Sequence, residues 1–210
     1  MNSELKKLIE EEKIMEALAY PFYKETPDGS IVADLHWKPS HKVGKDELEC
    51  VPYINGDQVR QRLNDVLATK WQTRMEKHED RTICILSVYI QDANDWLDRS
   101  DVGTPTATEK EKGETTDSLK RAAVNWGVGA YIKTIPNVTL PMGRENGKNV
   151  PMTHDKKTVL MGDNLSNYIN TLSLPLSKLI EFWGSLSKSQ QTEATQSVVA
   201  LKKMFTKAKK

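Results

Sequence analysis

Residues 117–132, Asp-Ser-Leu-Lys-Arg-Ala-Ala-Val-Asn-Trp-Gly-Val-Gly-Ala-Tyr-Ile, carry the pattern on which the fold turns. Turned at about 100° per residue, Leu119, Ala122, Ala123, Trp126 and Ala130 line one stripe, and Lys120 and Arg121 fall on the opposite arc. The spacing predicts a helix over Thr116–Tyr131 whose small alanines let it approach a sheet closely. Two adjacent cations on a face whose reverse is anchored in a core hold phosphates rigidly. The same periodicity also fits a solvated face, with Arg121 paired to Asp117 at i, i+4.

Working outward from that helix, strands are expected at Trp71–Lys77 and Thr82–Gln91, joined as a hairpin through His78-Glu79-Asp80-Arg81, with a third at Asp95–Val102. Upstream, Val59, Leu63, Val66 and Leu67 place a helix over Gln58–Thr69, with Asp57 of the Asn55-Gly56-Asp57 turn as its cap. Glu49–Ile54 and Ser30–Lys38 read as strands. Leu5, Leu8, Ile9, Met15 and Leu18 mark an amphipathic helix over residues 4–18 that Pro21 stops. Downstream, residues 136–164 are rich in Pro, Gly, Asn and Lys and read as a linker or long loop. Helical stretches are expected near 175–187 and 190–207.

Composition narrows the function classes. In 210 residues, 30 Lys and Arg nearly cancel 29 Asp and Glu, so any nucleic-acid signal must come from local clustering. A hydrophobic content of 38% with 28% charged residues fits a soluble globular chain of one domain and a tail. No apolar run reaches bilayer length, and the charged start, MNSELKKLIEEEK, lacks a secretory apolar stretch. The expected location is the cytoplasm. Cys50 and Cys84 read as reduced core residues, and His36, His41, His78 and His154 have no ligand spacing, so no metal is expected. Gly143-Arg-Glu-Asn-Gly-Lys-Asn has the wrong spacing for a phosphate loop, and Gly127-Val-Gly129 serves better as a helix terminator than as a dinucleotide fingerprint. The Glu-x-Lys patterns lie on the N-terminal helix as salt-bridge partners, and no nucleophile motif is visible. The expectation is a protein without catalytic residues or cofactors.

The segment 117–132 closely resembles the signature of the Rad fifty-two superfamily of strand-annealing proteins, including its phage Sak-like members: an acidic residue, then L/F-K-R-A, then an aromatic-Gly. VPYINGDQVRQRLNDVLATKWQ, beginning at Val51, resembles the same family's Tyr-Ile-x-Gly turn, its Val-x-x-x-Leu helix and the Trp that opens the next strand. Asp101-Val102-Gly103 is similar to the strand end before the signature helix. These motifs occur in the family's order over roughly residues 14–135, and their combination is specific where each alone is weak.

The resemblance implies ATP-independent binding of single-stranded DNA and annealing of complementary strands in homologous recombination and repair, in a phage-encoded protein acting in its host's cytoplasm. It implies an α+β fold in which an antiparallel sheet is crossed by the signature helix, a β-β-β-α core with peripheral helices, assembling into a homo-oligomeric ring. Lys120 and Arg121 match the family's basic pair, and Tyr53 matches an aromatic of the same groove. A further family cation has no clean counterpart; Lys38, Lys42 and Lys45 are the candidates, with Lys38 favoured. Another, one helical turn after the pair, is Val124 here; the family's outer DNA site is not recognisable, and in its place the loop before the helix, Glu-Lys-Glu-Lys-Gly-Glu, is nearly neutral. Tyr53 also fits a strand residue packed on its sheet, and Trp71 and Trp126 fit the core.

The expected layout is a DNA-binding core with its N-terminal helix over 1–135, the linker or loop over 136–164, and a helical basic tail over 165–210. From Lys188 to Lys210 six lysines face the single Glu193. That stretch suits extra DNA affinity, docking of a host single-strand-binding protein or a phage exonuclease, or a helix folded back on its own domain. Two rivals remain: an end-protecting or mediator protein on the same scaffold, and a nuclease with an unrecognised site.

Overall fold

The structure, a computed structural model, describes residues 3–25, 31–104 and 110–172 together with Ser187 and Ser189. The expected helices near 175–187 and 190–207 and the basic stretch from Lys188 therefore lie almost wholly outside the described residues. In chain order the elements are α1 (Ser3–Ala19), β1 (Tyr23–Glu25), β2 (Ile31–Ala33), β3 (His36–Val43), β4 (Glu47–Tyr53), α2 (Gly56–Leu67), β5 (Trp71–His78), β6 (Arg81–Ile90), β7 (Asp95–Val102), α3 (Lys110–Asn125), a 3₁₀ turn (Ala130–Thr134), β8 (Val138–Glu145), β9 (Lys148–Pro151) and α4 (Gly162–Leu172). This is a mixed α+β chain with antiparallel sheets. It divides into two units of discontinuous sequence, residues 1–20 with 55–130, and residues 21–54 with 131–210. No helix among the described residues is long and apolar enough to cross a membrane.

The first unit is built on the antiparallel sheet β5-β6-β7. Alternation along β6 sends Thr82, Cys84, Leu86, Val88 and Ile90 to one buried face, where α3 packs over β6 and β7. Leu119, Ala122, Ala123 and Trp126 of the expected stripe are all buried, and the Trp126 indole Nε1–H donates to the Leu86 carbonyl at 3.1 Å. Burial of that ring removes a large apolar surface from water without stranding its one polar atom. α3 begins six residues earlier than the expected Thr116, because Glu114, in its second turn, is buried and accepts from the Thr82 amide at 2.6 Å. It ends at Asn125, short of Tyr131, where Gly127 and Gly129 both adopt positive φ. Arg99 caps that end, donating to the Asn125 carbonyl while bound to Glu11 and lying 4.7 Å from the Trp126 ring centroid. Asn55, and not the expected Asp57, caps α2: its side chain accepts from the Gln58 amide at 2.8 Å and Gln58 returns the bond at 3.1 Å.

The second unit contains the sheet β3-β4-β8-β9 and the small pair β1-β2. The expected single strand Ser30–Lys38 is broken at Asp34-Leu35 into β2 and β3. The expected linker over 136–164 is overturned: β8 pairs with β4, and β8 and β9 form a hairpin. Its turn is Asn146-Gly147, with φ of 49° and 76°, the two left-handed positions that a two-residue turn of this hand requires. Trp37 is buried against α4, its main-chain N–H donating to Ser166 Oγ at 3.0 Å and its Nε1–H to Asn170 Oδ1 at 2.9 Å. Leu35, Leu48, Cys50, Leu140, Leu165 and Ile169 complete this core.

Candidate nucleic-acid interface

The residues singled out in the sequence fall in both units. In the first unit, Lys120 and Arg121 sit on the α3 face away from Trp126, as expected, and each is matched by a carboxylate. Lys120 Nζ is 3.7 Å from Asp117, one turn back on the same helix, and its side chain is only 29% exposed. Arg121 Nε donates to Asp101 of β7 at 3.2 Å, so the expected i, i+4 pair with Asp117 is replaced by a contact across to the sheet. Asp117 instead accepts from the Thr104 amide at 3.0 Å. Gly103 is required beside it: a Cβ there would lie 2.2 Å from the Glu114 carbonyl oxygen. The segment Asp101-Val-Gly thus fixes the start of α3 against the sheet and supplies the carboxylate that orients Arg121. The Glu-Lys-Glu-Lys-Gly-Glu stretch, expected as a loop, contributes α3 from Lys110 onward.

In the second unit, β3 and β4 bring Tyr53 and Lys38 together. His36 pairs with Tyr53 and Lys38 with Val51, so all four point to one side of the sheet, opposite buried Trp37 and Cys50. Lys38 Nζ lies 5.6 Å from the Tyr53 ring centroid, and the His36 ring stands 5.4 Å from it at 33°. Tyr53 is half-buried, so the ring rests on its neighbours while keeping part of its surface exposed.

Lys42 and Lys45 do not join this group. A one-residue bulge between Pro39 and Lys42 inverts the alternation, and Lys42 falls opposite Leu48, on the other face of the sheet from Lys38. Lys45 is in the β3–β4 turn, lining a shallow recess with Asp46, Glu47, Pro141 and Lys156. His41, inside the bulge, pairs with Glu49 at 3.3 Å. Carboxylates therefore accompany the lysines at the turn end of the ribbon. His36 is the residue the sequence reading missed; its signal is the alternation His36-Trp37-Lys38, which puts His36 and Lys38 on one face and the indole on the other.

Trp71 is half-buried, with its Nε1–H on Asn64 Oδ1 at 3.0 Å. Cys50 and Cys84 are buried unpaired thiols, both pushed up to about 11, chiefly by burial and in Cys50 also by neighbouring Glu49. Among the described residues no group of three or more His, Cys, Asp or Glu side chains is placed to hold a metal ion. Comparison with protein-family models, with curated proteins and with solved structures finds no match to this chain.

Proposed function

We propose that this protein binds single-stranded DNA and anneals complementary strands without a nucleotide or metal, in homologous recombination and repair. On this reading it is a phage-encoded protein of the Rad fifty-two type that works in its host's cytoplasm as a homo-oligomeric ring. The observation that carries the reading is the Lys38, Tyr53 and His36 cluster on the exposed side of β3 and β4. A cation held over an aromatic ring offers a phosphate contact and a stacking surface within one nucleotide's reach, which suits single-stranded nucleic acid and is indifferent to sequence. Lys120 and Arg121 add phosphate contacts from a rigid helix, and the order β5-β6-β7-α3 fits the β-β-β-α core that the sequence resemblance implies.

Mechanistically, cations hold one strand by its phosphates and leave base edges open to a complementary strand. Selection then belongs to base pairing, and the protein needs no base readout. Phosphates must compete with Asp117 and Asp101 for Lys120 and Arg121, whereas Lys38 shares its position with an uncharged ring. The reading therefore makes Lys38 and Tyr53 the stronger anchors and the α3 pair the secondary one.

The test is to mix labelled complementary oligonucleotides with the protein, without ATP or divalent metal. Duplex formed faster than spontaneously, with the rate lowered by Lys38→Ala or Tyr53→Ala, supports annealing. Oligonucleotide ends shielded without duplex formation make it an end-protecting or mediator protein, and degradation on adding Mg²⁺ makes it a nuclease; either result overturns the proposal.

A further inference from the structure

The two sheets treat their edges differently. In β3-β4-β8-β9, one edge strand carries Pro39 and a bulge, and the other is four residues long and ends in Pro151. Proline, bulges and short length are the usual protections against edge-to-edge pairing. In β5-β6-β7, both edge strands are eight residues long, without proline or register shift, and neither outer edge has a strand partner among the described residues. Every residue of β5 from Gln72 to His78 is exposed, because α3 packs mainly over β6 and β7 and reaches β5 at Met75 through Ser118.

The two open edges are also chemically complementary. On β5, Arg74 and Lys77 outnumber Glu76; on β7, Asp95, Asp98 and Asp101 outnumber Arg99, which is already bound to Glu11. Asp95 and Asp101 are paired within the chain to Lys7 and Arg121, and Asp98 has no ion-pair partner among the described residues. Each edge also exposes apolar surface, Met75 on β5 and Trp96 and Val102 on β7. Because both edges run antiparallel to β6, they run parallel to each other. A second copy related by a repeating rotation therefore sets its β5 parallel to the first copy's β7. A twofold arrangement centred on β7 would instead oppose β7 to β7 and set Asp98 against Asp98, which is repulsive.

We propose that the β7 edge of one copy pairs in parallel with the β5 edge of a second copy, with Asp98 beside Arg74, extending the sheet from subunit to subunit. The pleat allows this register with a stagger of two residues: Asp98 lies level with Gln72 across β6, and Arg74 points to the same face two residues on. Arg74, which holds Glu76 at 2.8 Å within its own strand, gains the unpaired carboxylate as a second partner. Each added copy leaves one β5 and one β7 edge open, so association continues until the rotation closes a ring. This deepens the assembly named in the proposed function and rests on it.

Cysteine cross-linking tests the contact, since Cys50 and Cys84 are buried and contribute no accessible thiol. Neighbouring strands lie about 4.8 Å apart, within the reach of a disulfide. On oxidation, a chain carrying both Asp98→Cys and Arg74→Cys should run as a ladder of dimers, trimers and higher species on a denaturing gel. Each single variant should run as one chain, and an equimolar mixture of the two singles should stop at dimers. Independently, Asp98→Arg and Arg74→Asp should each lower the mass seen by light scattering, and the chain carrying both exchanges should regain it. Dimers from Asp98→Cys alone would overturn the proposal in favour of a twofold contact. A wild-type oligomer with no ladder and no response to either charge reversal would overturn it and leave assembly by another surface. A wild-type chain that is monomeric at micromolar concentration, with and without oligonucleotide, would overturn both the contact and the ring.

Discussion

Among the described residues each unit buries one tryptophan almost completely, and the two are secured in opposite ways. Trp126 directly follows the last residue of a helix and donates to the main chain of the strand beneath it, Leu86; Trp37 belongs to a strand and donates to a side chain of the helix above it, Asn170. The surfaces on the reverse of these anchors differ as well. Behind Trp126 the cations Lys120 and Arg121 rest on carboxylates, whereas beside Trp37 the cation Lys38 rests on an aromatic ring. A carboxylate partner lowers the local potential that a phosphate meets, while a ring leaves the positive charge in place. Similar scaffolding thus presents two kinds of cation, and the second is better suited to hold a polyanion.

The comparison breaks most severely at its anchors. Trp126→Ala and Trp37→Ala should each cost about 3–5 kcal/mol, read from urea denaturation by circular dichroism, since both rings are almost fully buried. A loss below about 1 kcal/mol at either position would remove that residue from its core. Gly103→Ala is expected to cost about 1–3 kcal/mol by forcing apart the Glu114 backbone and the end of β7. The same measurement on Asn55→Ala should show about 1 kcal/mol from the lost α2 cap, and Asp57→Ala markedly less.

The smallest effect concerns the thiols, one in each unit. Both are pushed up to about 11 in the folded chain from the ordinary thiol value of 9.0, so the fold retains protons that the unfolded chain releases. Their contribution to stability is present in full at neutral pH and is lost as pH rises from about 9 towards about 11. Replacing both with Ser should therefore flatten the fall in stability across that window in a pH series of melting temperatures. An unchanged fall would assign it to other groups.

The first unit was legible in the sequence almost strand by strand, because β6 is a nearly continuous apolar run and short polar turns join it to β5 and β7. β7 occupies Asp95–Val102 as expected, and the α3 stripe is buried as expected. The second unit was obscured by composition: the Pro, Gly, Asn and Lys of residues 136–164 resemble a linker, yet Asn146-Gly147 is a strong two-residue hairpin signal. The Gly143 to Asn149 run that imitates a phosphate loop is that hairpin. At the candidate site, Lys120 and Arg121 follow from helical periodicity, but the Arg121 partner Asp101 lies 20 residues away and no local rule reaches it. Lys42 was misplaced for a different reason: one bulge residue reverses every face assignment beyond it, and nothing in His-Trp-Lys-Pro-Ser-His-Lys-Val marks the extra residue apart from Pro39.

The central claim is that cations in both units hold DNA phosphates, and the salt dependence of oligonucleotide binding tests it most directly. Each phosphate contact on single-stranded DNA steepens the fall of log K against log[salt] by roughly 0.7. Lys38→Ala should flatten the slope by about 0.7, and Lys120→Ala with Arg121→Ala by about 1, short of two full contacts because Asp117 and Asp101 take up counterions once DNA displaces them. Folded triple-substituted protein should bind with a slope flattened by about 1.7, the sum of those changes. If that protein binds the oligonucleotide with the wild-type slope, these side chains are a solvated surface and the account of the site is wrong.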